Sequence, residues 1–249
     1  MPSSVGHCCR NAHYPPRASS AGRKSDSASR SRTVARKIAR ALMSHFFPER
    51  LSSPRLHLRR LRPEDAQALC GYRSLVEVAR YQYWESFGPD EAAHLIETQS
   101  TTEPNGPGTW FQLAIIKTDG EHMIGDCGLH CPKEEPHQME IGITLAPRYQ
   151  GHRYADETVA CLLQYCFATL GKHRVFAYID VENRSAIALC ARLGFGREAH
   201  LVEHRWFKNK RQSEYLFAML KRDWENAPHI SEEFLMRTVN PANKIRHEQ

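Results

Sequence analysis

The sequence lacks several features that would assign it to a protein class at once. No stretch approaches the roughly 18 consecutive apolar residues of a membrane-spanning helix, so we expect no membrane association. The eight cysteines form no CxxC pair. Cys127 and Cys131 share a face of a strand-like run, but no two further zinc ligands stand at suitable spacing. We therefore expect reduced, buried thiols in a cytoplasmic protein, and no metal site.

Acidic residues are almost absent from the first 43 positions. That segment holds nine Lys or Arg residues and one acid, Asp26, and so carries a charge of +8. Since the whole chain carries +6, the remainder carries −2. The basic character of the sequence therefore says nothing about the folded part, which we do not expect to bind nucleic acid.

Residues 1–45 are rich in Ser, Arg, Pro and Ala and poor in large apolar residues, which predicts disorder. Three interpretations are open: an organelle presequence, a basic arm for nucleic acid, or residues upstream of a true start at Met43. We favour the start at Met43, because the periodicity of a complete domain begins only at Leu51. We assign residues 51–224 to that domain and 225–249 to a C-terminal tail.

Apolar periodicity over 51–224 predicts strands and helices in mixed order. Helices are predicted from Pro63 patchily to about Gln99, with a break at Gly88-Pro89, over residues 159–170 from their apolar spacing, and from Asn183 to Leu193. Proline and acids favour the first start, and asparagine caps the last helix. The predicted strands cover residues 55–61, 110–117, 123–131, 139–145, 174–180, 196–205 and 213–220. Two strand–helix–strand crossings within a mostly antiparallel sheet indicate an α+β fold.

Five blocks occur in this domain in a fixed order. They are 59–66 (RRLRPEDA), 140–146 (EIGITLA), 149–155 (YQGHRYA), 180–195 (DVENRSAIALCARLGF) and 206–215 (WFKNKRQSEY). In these blocks the chain resembles the GNAT superfamily of N-acetyltransferases, and within it the branch that acetylates ribosomal-protein N-termini. The resemblance implies a mixed central sheet of about seven strands with helices on both faces. It also implies acetyl-CoA as co-substrate and transfer to a primary amine.

A loop that opens a helix follows the strand 139–145, and free N–H groups at such a junction suit a diphosphate. The family pattern Gln/Arg-x-x-Gly-x-Gly/Ala matches Gln150 and Ala155, whereas Arg153 replaces a glycine. The resemblance further implies that this strand splays from the strand 174–180 and that pantetheine inserts between them. The implied cofactor-binding residues are Leu145, Ala146, Gln150, Gly151, His152, Arg153, Tyr154, Ala155 and Asn183.

Three residues are candidates for the chemistry. Glu140 lies on the polar face of its strand and would accept the amine's proton, directly or through water; a solvated or salt-bridged carboxylate is the equal alternative. Asn183 caps a helix, and the resemblance adds a cofactor contact. Cys190 occupies the position of a tyrosine acid in other members, although a small buried residue is the commoner role. Ala186 stands where the branch often carries a serine acid.

Four functions remain open at this stage. We expect acetylation of a protein N-terminal amine first, and of a small amine such as an amino acid, polyamine or antibiotic second. A non-catalytic acyl-CoA-binding module is third, favoured by Arg153 and Ala186. A nucleic-acid-binding protein that uses its basic N-terminus is fourth. The expected partners are acetyl-CoA and an amine acceptor, with a homodimer left open.

Overall fold

The computed structural model describes residues 47–227. The segment 1–45, the proposed start at Met43 and nearly all of the tail 225–249 lie outside the described residues, so the interpretations placed on them remain predictions. Within 47–227, no helix has the length and apolar character needed to cross a bilayer. The same range contains no group of three or more His, Cys, Asp or Glu side chains arranged to hold a metal ion.

One mixed sheet organises the described residues. Its strands are β1 (Leu51–Ser52), β2 (Leu56–Arg60), β3 (Trp110–Lys117), β4 (His122–His130), β5 (Gln138–Leu145), β6 (Arg174–Asp180), β7 (Gly196–Phe207) and β8 (Lys210–Leu220). Their spatial order is β1-β2-β3-β4-β5-β6-β8-β7. Only the β5–β6 pair is parallel. The predicted α+β, mostly antiparallel arrangement is confirmed, with eight strands instead of about seven, because the two-residue β1 is too short for visible alternation.

Helices begin close to the signals at Pro63, Gly88-Pro89 and Asn183, whereas the helix predicted from the spacing after Val159 already begins at Tyr154. They are α1 (Ala66–Arg73), α2 (Val76–Ala79), α3 (Pro89–Thr101), α4 (Tyr154–Gln164), α5 (Arg184–Arg192) and α6 (Lys221–Glu225). A π-helical turn, Tyr165–Thr169, continues α4. Pro89 starts α3, and the Glu91 carboxylate accepts the Gly88 N–H at 2.9 Å, as in a capping box.

The two faces of the sheet carry separate apolar cores because side chains alternate along each strand. Leu113 and Ile115 of β3 join the core beneath α4 and α5, whereas Ala114 and Ile116 join the core beneath α1 and α3. Burying one such Leu or Ile side chain stabilises the fold by about 1.5–3 kcal/mol. Helices therefore cover both faces of the sheet. The two cores can stabilise the sheet even where two neighbouring strands separate.

The thiols follow the sequence expectation in part. Cys127 and Cys131 are both buried in the larger core, and all six described cysteines are free. Cys70 and Cys161 are only half-buried, so burial does not extend to every thiol.

Candidate active site

The central feature of the site is a cleft between β5 and β6. These parallel strands pair only through residues 138–140 and 174–176. Beyond Glu140 and Phe176 both strands continue, to Leu145 and Asp180, without pairing to each other. The splay implied by the family resemblance is therefore present, and a cavity of about 390 Å³ occupies it. This volume lies in the range of small-molecule sites.

The cavity reaches both faces of the sheet. Val159 and Leu189, from the core beneath α4 and α5, line one side, and Trp84 and Leu95, from the other face, line the opposite side. Of the residues predicted from the sequence, Glu140, Asn183 and Cys190 line the cavity. The predicted cofactor residues Leu145, Ala146, Gln150, Gly151, His152, Arg153, Tyr154 and Ala155 lie outside its lining, at the end of β5 and in the following loop.

The β5 edge of the cleft offers main-chain groups. The Ala146 N–H donates to Ile124 O at 2.9 Å, so it is not free for a ligand. Because bonded and non-bonded pairs alternate along an antiparallel ladder, Ile143 and Leu145 must direct their N–H and C=O groups away from β4, towards the cleft. The Leu145 carbonyl accepts a bond from Gln150 Nε2 at 3.0 Å. Ile143, which the sequence did not single out, therefore presents the free main-chain groups that we expected at Ala146.

Glu140 lies at the point where the strands separate. Its Oε2 is 3.2 Å from Nδ1 of His130, its register partner on β4, and its side chain is 16% exposed. Burial raises the pKa of Glu140; His130 opposes this rise, the charge of Glu214 adds to it, and Arg205 reduces it. A half-buried carboxyl with a raised pKa, beside a cavity, has the properties of a general base. Glu140 is paired with His130, in line with the alternative interpretation of a salt-bridged carboxylate, and it also lines the cavity.

An aromatic floor supports the His130 ring. Trp110 stacks on His130 with ring centroids 5.1 Å apart and planes inclined by 17°. The indole lies over Gly128, where a Cβ atom would come within 2.9 Å of Trp110 Cε3. Glycine is therefore needed at this position, because a side chain there would push the indole away from His130 and from the cavity wall.

Asn183 and Cys190 occupy the α5 side of the cavity. Asn183 Oδ1 accepts the Ala186 N–H at 3.1 Å, which confirms its capping role; its cofactor contact stays a prediction. Burial raises the pKa of Cys190 to about 12, and the charge of Arg192 offsets only part of this rise. A thiol with such a pKa is a weak acid, which disfavours proton donation; the role of Cys190 stays a prediction.

Two further carboxylates on the cavity wall were missed in the sequence, and each is neutralised by a cation. Asp126 is 2% exposed and binds the Tyr72 hydroxyl and the Arg73 guanidinium, whose Nε lies 3.1 Å from Asp126 Oδ1. Glu214 is 4% exposed; its Oε1 is 2.8 Å from Arg205 Nη2. Asp126 interrupts the apolar run of β4, a local signal of a special role.

Asp180, at the end of β6, is the third carboxylate that the sequence did not reveal. It is 8% exposed and lines the cavity. Its Oδ2 accepts from Gln212 Nε2 at 2.6 Å, and its Oδ1 accepts from the Glu182 N–H at 2.7 Å. Both donors are neutral.

The loop that precedes α4 presents free amides. Within the described part of the chain, the backbone N–H groups of residues 151–156 donate to no protein acceptor. Gly151, His152 and Arg153 are exposed. The first intrahelical bond of α4 runs from Glu157 N to Arg153 O at 3.2 Å. Exposed donors at the positive end of an eleven-residue helix suit an anionic ligand.

Arg153 adopts the backbone conformation that suits the glycine of the family pattern. Its φ of 65° and ψ of 12° lie in the left-handed region. The loop therefore keeps its shape although a Cβ is present, at a cost of about 1–2 kcal/mol. The Arg153 guanidinium is held by Asp156, because Arg153 Nη1 donates to Asp156 Oδ1 at 3.1 Å.

Comparison with known proteins agrees with this architecture. The family model described as an acetyltransferase (GNAT) domain matches residues 55–196. The chain belongs to the GNAT acetyltransferase family. Its relatives are named N-acetyltransferases, and this GNAT protein is an N-acetyltransferase enzyme.

Four proteins illustrate the range of similarity to this GNAT enzyme. The uncharacterized N-acetyltransferase p20 of Bacillus licheniformis is 32% identical over 71% of this chain and 98% of its own length. The spermidine N(1)-acetyltransferase of Escherichia coli K12 is 28% identical over 63% and 82%. The [ribosomal protein uS5]-alanine N-acetyltransferase of the same organism is 23% identical over 70% and 92%. The crystal structure of Vibrio cholerae spermidine N-acetyltransferase with CoA and spermine shares the fold, with a TM-score of 0.60 at 23% identity over 69% and 99%.

Proposed function

We propose that this enzyme transfers acetyl from acetyl-CoA to a primary amine of a small cationic molecule. The observation that carries the proposal is the charge of the cavity wall. Four carboxylates face two guanidinium groups among the lining residues, namely Asp126, Glu140, Asp180 and Glu214 against Arg73 and Arg205. A surplus of negative charge in a partly enclosed volume attracts an ammonium group.

The residues of the cleft fit acetyl-CoA. The free amides of 151–156 and the α4 dipole would hold the diphosphate, and the backbone groups of Ile143 and Leu145 would hold the pantetheine arm. When bound, acetyl-CoA supplies the activated thioester carbonyl. A main-chain N–H on the β5 edge is in position to stabilise negative charge on the carbonyl oxygen.

Glu140 is our proposed proton acceptor. The pKa of Glu140 is raised, so it lies closer to the pKa of an amine than the pKa of an exposed glutamate does. A smaller difference between the two pKa values favours proton transfer from the amine to Glu140. His130, 3.2 Å away, holds the carboxylate in one orientation. Because Ala186 has no hydroxyl and the Cys190 thiol has a pKa of about 12, the departing thiolate takes its proton from the amine or from water.

The acceptor that we expected first from the sequence, a protein N-terminal amine, has less support than a small amine. The relative named for spermidine is 28% identical to this chain, and the one named for a ribosomal protein is 23% identical. A cavity of about 390 Å³ suits a small molecule. The negative wall also favours a polycation over a peptide that carries one terminal ammonium.

Two measurements test the proposal. Isothermal titration should show acetyl-CoA binding that weakens when Gly151 is replaced by proline, which removes one loop amide and disfavours the loop's positive φ of 77°. Thiol release should then be followed with small amines and with ribosomal N-terminal peptides. We expect kcat/KM to be at least about tenfold higher for spermidine than for the peptides. Turnover of peptides alone would contradict the small-amine acceptor, and binding without any turnover would favour the acyl-CoA-binding module.

A further inference from the structure

We propose that Asp180 binds a second positive charge of the acceptor, so that the enzyme selects diamines and longer polyamines over monoamines. This inference rests on the proposed transfer to a small amine and adds the residue that sets acceptor length. It starts from an imbalance in the cavity wall: Asp180 is nearly buried, yet its hydrogen-bond partners are neutral.

The other cavity carboxylates each have a cationic or titratable partner. Asp126 pairs with Arg73, and Glu214 pairs with Arg205. Glu140 pairs with His130. Within residues 47–227, no Lys, Arg or His nitrogen lies within 4.0 Å of the Asp180 carboxylate.

Arg80, the exposed guanidinium on the Asp180 side, pairs instead with Glu182, at 3.0 Å. Burying a carboxylate without a cation is unfavourable. An ammonium group from the cavity would complete the environment of Asp180.

The carboxylate is held in one orientation before any ligand arrives. Arg205 Nε donates to Gln212 Oε1 at 2.8 Å, and because arginine can only donate, Gln212 must turn its NH₂ group to Asp180. Arg205 is itself fixed by Glu214 at 2.8 Å. The Asp180 oxygens therefore keep free lone pairs at a fixed place on the wall, which suits a charge-assisted bond.

The distance between Asp180 and Glu140 selects the length of the acceptor. Glu140 lies opposite Phe176, and Asp180 follows four residues later on β6, a strand length of about 13 Å. Tyr178 stands between Phe176 and Asp180 on the same face and also lines the cavity. Two carboxylates with an aromatic ring between them match an alkyl chain with an ammonium group at each end. Ethylenediamine is too short to reach both.

Matched amine pairs test the inference on the wild-type enzyme. We expect octamethylenediamine to have a KM about 10- to 100-fold lower than octylamine, because a bond to a charged group is worth that factor. Ethylenediamine and ethylamine should have similar KM values. Equal KM values for the two eight-carbon amines would overturn the inference.

The Asp180→Asn variant tests the residue itself. It should raise the KM for octamethylenediamine by about 10- to 100-fold, and the KM for octylamine by no more than about threefold, because octylamine loses only the general attraction of the wall charge. Asp223→Asn, at an exposed site on α6, is the matched control and should change neither KM. A KM that rises equally for both amines would show a structural role and refute the assignment. If the variant does not fold, the KM comparison of matched amines on the wild-type enzyme still tests the inference.

The outcomes separate this inference from the proposed function. Absence of turnover with every amine would refute the proposed function, and the inference with it. Turnover of both eight-carbon amines with equal KM would refute only the role of Asp180. Glu140→Gln, in contrast, should lower kcat for both amines and leave the KM difference between them in place.

Discussion

The two sides of the cleft are built by different means. The proposed cofactor side offers main-chain groups from one continuous segment, Ile143 to Asp156, where the backbone conformation sets their positions. The proposed acceptor side is lined by charged side chains from α1, β4, β5, β6 and β8, far apart in the sequence. Main-chain geometry can persist when a side chain is replaced, since Arg153 adopts the left-handed conformation that suits a glycine. A buried charge network, in contrast, loses stability when one partner is removed.

The Arg73–Asp126 pair should show the largest effect of this difference. Both side chains are at most 5% exposed, so Arg73→Ala leaves Asp126 charged and without its cation. We expect the free energy of unfolding to fall by about 3–5 kcal/mol, measured by urea denaturation. Arg80→Ala, which breaks an exposed pair with Glu182, should leave the unfolding curve unchanged. If Arg73→Ala lowers the free energy of unfolding by less than about 1 kcal/mol, the buried charge network tolerates a replaced side chain as well as the loop before α4 does.

The second prediction concerns Glu140. Glu140→Gln should lower kcat by about 10²-fold or more, because glutamine cannot accept a proton. Wild-type activity should rise with pH as Glu140 loses its proton, and since burial raises its pKa, this rise should lie above the range of an ordinary glutamate. The variant should lack this limb of the pH–rate profile. An unchanged profile would show that Glu140 is not the base.

The same pKa shift predicts the pH dependence of stability. The folded protein favours protonated Glu140, so this group stabilises the fold fully below the unfolded pKa of a glutamate. That contribution is lost as the pH rises through the raised folded pKa. Glu140→Gln should therefore gain stability relative to the wild type as the pH increases towards neutrality, in thermal unfolding followed by circular dichroism.

The contrast between the two sides also explains how much could be predicted from the sequence. Strand alternation gave β3 and β6 at their observed bounds, Trp110–Lys117 and Arg174–Asp180. It also placed Glu140 on the polar face of its strand. Asn183 was recognisable because capping depends on neighbouring residues, and its bond to the Ala186 N–H spans only three positions. Local physics thus predicts the continuous part of the site.

The acceptor side could not be predicted in the same way. The partner of Asp126 is 53 positions away, at Arg73, and the partner of Asp180 is 32 positions away, at Gln212. Alternation predicts polar residues at half-exposed strand positions, so it gives no sign that Asp180 is buried. Asp180 is buried through tertiary contacts, since β6 pairs with β8 and Gln212 of β8 donates to its carboxylate. Charge networks of this kind depend on tertiary pairing and leave no local pattern.

Arg153 separates the effect of backbone shape from that of charge on the cofactor side. Because its φ is 65°, Arg153→Gly should be about 1 kcal/mol more stable than Arg153→Ala, in urea unfolding. Both variants lack the guanidinium, so alanine is the matched control for charge. We expect both to bind acetyl-CoA within about threefold of the wild type, since the amides remain. A large loss of affinity in both variants would assign the phosphate contact to the guanidinium.

Cys190 should show the smallest effect, although it lines the cavity. Its pKa of about 12 lies more than three units above that of an ordinary thiol, so transfer of its proton to a departing thiolate is uphill by about 4 kcal/mol. We therefore expect Cys190→Ala to change kcat by less than about threefold, in thiol-release assays at saturating substrate. A fall of about 10²-fold in a variant with unchanged unfolding temperature would contradict this expectation. The side-chain chemistry of the α5 wall would then matter as much as that of the acceptor side, and main-chain geometry alone would not describe the cofactor half of the cleft.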